Sequence, residues 1–140
     1  LAWAARDDAR ALDTARAAWR QWPDRRALAY CLAQALQRMG RHDEAVMFLR
    51  ERVGRWADEE PGLYQLLAQS EDKAGQRVAA RRSMARYYIA IGALPAAVSQ
   101  LNQARGLSRD FYEQSQIDVQ IREVKERMAE ERELLERFKS

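Results

Sequence analysis

Three alanines set the frame for this chain: Ala11, Ala45 and Ala80 recur 34 and 35 residues apart, inside segments that resemble one another. Around Ala45 the unit reads Ala29, Leu32, Ala33, Leu36, Gly40, Ala45 and Leu49. Around Ala80 it reads Tyr64, Leu67, Ala68, Glu71, Gly75, Ala80 and Met84. Ala11 keeps only the second half of the pattern, with Ala15 and Ala18, before Pro23 closes the unit. A further copy starts half a period on: Gly92, Ala97, Leu101 and Ala104 repeat Gly75, Ala80, Met84 and Tyr87 at a displacement of 17. The segment from Val78 to Ile91 thus serves twice, closing one helical hairpin and opening the next. A fixed period of this length means stacked hairpins, because one hairpin cannot bury its apolar face alone.

That order of residues (bulky, Leu, small, turn glycine, Ala, large apolar) resembles the tetratricopeptide repeat. The expected fold class is all-α, a tetratricopeptide-repeat helical-hairpin solenoid with a long C-terminal capping helix. Composition agrees: 6 Gly and 3 Pro in 140 residues leave few helix breakers among abundant Ala, Leu, Arg, Gln and Glu. Helices are predicted near 8–22, 24–39, 43–56, 61–74, 77–91, 94–105 and 110–138, with 1–5 the end of a truncated earlier helix. The organisation expected is a single repeat domain over 1–140: a truncated repeat at 1–23, repeats at 24–57 and 61–91, an overlapping last hairpin at 77–105, and a terminal helix at 108–140. In that helix Ile117, Ile121, Val124, Met128, Leu135 and Phe138 form one stripe, suited to capping the last exposed core. Glycines 40, 75 and 92 stand where a helix must stop and the chain reverse. Asp43 and Glu44 stand in a first turn, where the helix dipole favours them.

The charges narrow the partners. Lys and Arg number 24 against 21 Asp and Glu, a net charge of +3 with signs interspersed, so neither nucleic-acid binding nor direct membrane insertion is expected. Cys31 is the one cysteine, which excludes an internal disulfide. It is expected as a small buried hydrophobe. The opening "LAWAARDD" reads as a chain begun inside a helix, so a larger parent protein is expected and a lost signal peptide is compatible.

The segment "RYYIAIGALPAAVSQLNQARGLSRDFYEQSQIDVQIREVKERM", residues 86–128, resembles the end of the BepA-type periplasmic zinc metalloproteases, relatives of HtpX. The residues that carry it are Tyr87, Tyr88, Gly92, Ala97, Gln100, Leu101, Ala104, Asp110, Phe111, Tyr112, Gln114, Ser115, Ile117 and Asp118. "IDVQ" departs slightly from the family's usual ending. The resemblance covers about a third of the chain at this specificity; the rest is similar only as repeats. It implies a zinc-bearing protease domain outside this sequence and a periplasmic location. It also implies docking onto that protease domain, the outer-membrane β-barrel assembly machinery and client barrel proteins. No catalytic residue, cofactor or metal ligand is expected here, because the lone His42 cannot build a zinc site and reads as a surface turn residue. The competing reading is a cytoplasmic tetratricopeptide scaffold, self-associating through its last helix.

A binding groove is expected along the concave face, on positions that the repeat signature leaves free. These are Tyr30, Gln34, Gln37 and Arg38 in one unit, Gln65, Gln69, Asp72 and Lys73 in the next, and Arg82, Arg86 and Ile89 on the shared helix. Chaperone-tail adaptors resemble one another in a Lys and Asn clamp for two carboxylates. The matching positions here hold Tyr30, Gln34, Gln65 and Gln69, which supply no charge. Trp3, Trp19, Trp22 and Trp56 are expected mostly as packing, with Trp22 and Trp56 the exposed candidates. Phe111 and Tyr112 are expected against the preceding hairpin, and Arg81, Arg82 and Arg86 as a solvated basic face.

Overall fold

The computed structural model describes residues 2–56 and 59–139, with the side chains of residues 2–4, and hence that of Trp3, outside the described set. Among the described residues seven helices follow in order: α1 (Ala2–Gln21), α2 (Arg26–Arg38), α3 (His42–Trp56), α4 (Pro61–Lys73), α5 (Arg77–Ala90), α6 (Leu94–Leu107) and α7 (Phe111–Lys139). No strand occurs among the described residues. Every extensive contact joins helices adjacent in the chain, and a smaller one joins α2 to α4. The fold is all-α, and α5 packs broadly on both α4 and α6, as the half-period copy requires.

Three turns share one geometry. Gly40, Gly75 and Gly92 have φ of 71°, 81° and 81°, a region that side-chain-bearing residues avoid. The amide after each glycine reaches back to a carbonyl inside the helix: Arg41 to Leu36 at 2.9 Å, Gln76 to Glu71 at 2.8 Å and Ala93 to Tyr88 at 2.8 Å. The glycine amide bonds the next carbonyl along, which satisfies the helix end and turns the chain. The last junction is built differently. Asp110 Oδ1 accepts the Tyr112 amide at 3.0 Å and starts α7 as an N-cap.

The repeat signature is the core. Ala29, Leu32, Ala33, Leu36, Ala45 and Leu49 are all buried, as are Tyr64, Leu67, Ala68, Ala80, Ala97 and Leu101. Each large apolar side chain buried this way contributes about 1.5–3 kcal/mol. The odd member is Glu71, only 2% exposed, where the preceding unit has Leu36. Its carboxylate accepts from Ser83 Oγ at 2.5 Å and from Arg50 at 2.9 Å, so the buried charge is paired.

Several expectations are corrected. No breaker lies between Ala2 and Gln21, so α1 runs through without the separate stub at 1–5. Cys31 is exposed, because Ala29, Leu32, Ala33 and Leu36 take the inward face of α2 and Cys31 falls on the other side. Phe111 and Tyr112 are 81% and 71% exposed. They occupy the first turn of α7, where Gln114, donating to the Ser108 carbonyl at 2.7 Å, and Ile117 turn inward instead. The stripe on α7 caps the α5–α6 hairpin through Ile117, Ile121, Val124 and Met128 and then outruns it, leaving Leu135 and Phe138 exposed. Trp56 is half-buried rather than exposed, edge-on to Trp19 with ring centroids 6.4 Å apart, while Trp22 is exposed as expected.

Candidate functional site

Helical spacing aligns the side chains that line the site. On α2, Cys31, Gln34 and Arg38 are three and four residues apart and share a face; on α4, Gln69 and Lys73 do the same. The 35-residue period makes Gln34 the counterpart of Gln69, and Arg38 that of Lys73. A cavity of about 520 Å³ lies between the two helices, lined by Gln34, Gln37, Arg38, His42, Gln69 and Lys73. Its floor is fixed: the Gln37 amide donates to the Leu66 carbonyl at 3.0 Å and to Ser70 Oγ at 2.9 Å, tying α2 to α4.

The cavity's cations are free. Among the described residues neither the Arg38 nor the Lys73 side chain has an ion-pair or hydrogen-bond partner, and both are exposed. His42 is the first residue of α3 rather than a turn residue, and its buried Nδ1 has no hydrogen-bond partner among the described residues. A second cavity of about 500 Å³ lies between α1 and α2 and shares Gln34 and Arg38 with the first. Ala11, Thr14, Ala18, Leu28 and Cys31 give it a mainly small and apolar shelf. The two cavities form one trough, apolar over α1 and cationic towards α4.

The expected groove residues separate into three groups. Gln34, Gln37, Arg38, Gln69 and Lys73 come together. Arg82, Arg86 and Ile89 line a different cavity of about 270 Å³ facing Gln120, Glu123 and Arg127 of α7, where Arg82 Nε donates to Gln120 at 3.1 Å. Tyr30, Gln65 and Asp72 line neither. The Tyr30 hydroxyl donates to Glu60 at 3.0 Å; burial, and then the Glu60 carboxylate, push its pKa up to about 12. Asp72 accepts from Arg81 at 3.5 Å. Of the basic cluster, only Arg86 is exposed, with Arg81 and Arg82 engaged.

Three residues stand in places that the sequence did not predict. Cys31 and His42 line the trough. Arg52, 6% exposed, is enclosed by aromatic rings and acts in packing. Chemically, the trough offers amides that donate and accept hydrogen bonds, and cations that attract anions. Among the described residues no group of three or more His, Cys, Asp or Glu converges to hold a metal ion. No protein-family model matches the sequence, and no curated protein matches it significantly.

Proposed function

We propose that this chain is a protein-interaction module, a tetratricopeptide-repeat domain whose working surface is the trough over α1, α2 and α4. The observation that carries the reading is the pair of repeat-related positions, Gln34 with Arg38 and Gln69 with Lys73, turned into one open cavity. Amide side chains along a trough suit hydrogen bonding to an extended backbone, and exposed cations add selectivity.

The finer reading rests on residues 86–128. Their resemblance to the end of BepA-type metalloproteases supports a non-catalytic accessory domain of a periplasmic zinc protease. It would bind barrel-assembly components and misassembled barrel proteins, with zinc held by the separate protease domain. The test is capture of a purified barrel-assembly component or an unfolded barrel protein by the immobilised chain, beside an unrelated helical-repeat domain. Binding abolished by substitutions at Gln34 and Gln69 supports the reading; binding equal to that of the control refutes it.

One observation favours the second reading, a self-associating scaffold: Leu134, Leu135 and Phe138 lie exposed beyond the hairpin that α7 caps. Sedimentation across concentration separates the two.

A further inference from the structure

We infer that the trough selects an acidic, extended polypeptide segment, with an apolar side chain seated over α1 and α2 and carboxylates at Arg38 and Lys73. The inference rests on the interaction-module reading and specifies its ligand. Four observations support it. First, the two cations occupy equivalent positions one period apart, each one turn beyond a glutamine, so the same local pattern is presented twice. Second, both cations lack partners among the described residues, whereas neighbouring Arg81 and Arg82 are engaged. Third, the buried His42 Nδ1 has no partner among the described residues, and His42 borders the same cavity. Fourth, among the described residues the charged lining of the two cavities is Arg10, Arg38 and Lys73 against Asp7, so the field there favours anions.

General packing geometry sets the spacing of the segment. Packed helix axes lie about 8–10 Å apart, and an extended chain advances about 3.3–3.6 Å per residue. Crossing from one helix to the next therefore takes about three residues. The segment that fits carries an apolar residue, a carboxylate and a second carboxylate at every third position. A single-stranded nucleic acid is the other anionic polymer to consider, but among the described residues no Phe, Tyr or Trp lines either cavity, and the imidazole of His42 is the one ring on which a base could stack.

Cys31 makes the test direct, because it is the only thiol in the chain and stands on the apolar shelf. The probe is a fluorescein-labelled peptide with Leu, Glu and Glu at every third position and Gly and Ser between. Its controls are the Gln-for-Glu and Lys-for-Glu peptides and a labelled oligothymidine. The Glu peptide should bind most tightly, weaken as salt rises, and slow alkylation of Cys31. Combining R38E with K73E should weaken it about tenfold or more, with unchanged helical circular dichroism since both side chains are exposed. Replacing both by Gln should give a smaller loss. Equal binding of the Glu and Gln peptides with Cys31 protected overturns the acidic assignment and leaves the groove reading standing. Tighter binding of oligothymidine overturns the peptide assignment. Failure of every peptide to bind or to protect Cys31 overturns both.

Discussion

The Arg52 guanidinium lies 5.1 Å from the centroid of the Trp19 indole, joining α3 to α1 through a cation on an aromatic face. Phe48 and Trp56 stand one helical turn to either side of it, at 5.8 and 5.7 Å. A buried arginine so enclosed contributes through its aliphatic stem as well as its charge. Arg52→Ala should therefore cost about 2–3 kcal/mol in urea unfolding. Arg52→Met should cost less, because it keeps the stem and removes a buried Nε that has no partner among the described residues. Equal stability of wild type and the alanine variant would rule out this role.

Gly62 lies against Tyr30. A Cβ added there would sit 2.6 Å from the Tyr30 hydroxyl oxygen and 3.1 Å from Cε1. Gly62→Ala should destabilise by about 1–3 kcal/mol by forcing the ring away. Tyr30→Phe alone should cost about 1 kcal/mol through the lost hydrogen bond to Glu60. Combined, the two should cost less than their sum, since phenylalanine removes the atom that clashes. Strict additivity in a double-mutant cycle would contradict the contact.

Glu44 accepts two hydrogen bonds from Arg16, the longer at 3.0 Å, and they hold its carboxyl below the ordinary 4.5. A depressed carboxylate pKa contributes stability that is present above the unfolded value, here about pH 4.5, and is lost as pH falls through the folded value. The pair is partly exposed, so the increment should stay below about 1 kcal/mol. Arg16→Gln should lower stability at neutral pH and flatten its decline below pH 4.5. Parallel stability profiles from pH 7 to pH 3 would show that the pair does not act this way.

The two halves of α7 should respond differently to truncation. Ile117 is fully buried, and Ile117→Ala should cost about 2–5 kcal/mol. Phe138 is 84% exposed, and Phe138→Ala should move chemical unfolding by less than about 0.5 kcal/mol. Comparable losses at both sites would mean that the outer half of α7 has a partner.

Much of the fold was legible because its signals are local. Glycines 40, 75 and 92 announced identical turns, and the alanines and leucines of the period marked the buried face. The site was legible in part. Gln34, Arg38, Gln69 and Lys73 followed from asking which positions the signature leaves free, and Cys31 could have joined them by its spacing of three and seven residues from Gln34 and Arg38. Tyr30 and Asp72 fall outside the cavities, engaged with Glu60 and Arg81, which lie in other elements that a single helix does not reveal. The burial of Arg52 had a faint local sign, an arginine four residues from an aromatic on each side, but Trp19 comes from another helix. Phe111 and Tyr112 read as packing residues by type; the cap at Asp110 turned them outward.

The proposed working surface is the trough over α1, α2 and α4. Its most direct test is the amide chemical-shift map of the isotope-labelled chain titrated with an unfolded outer-membrane barrel protein. The account expects shifts concentrated at Cys31, Gln34, Arg38, Gln69 and Lys73. Shifts concentrated at Leu134, Leu135 and Phe138, or no shifts at saturating barrel protein, would contradict it.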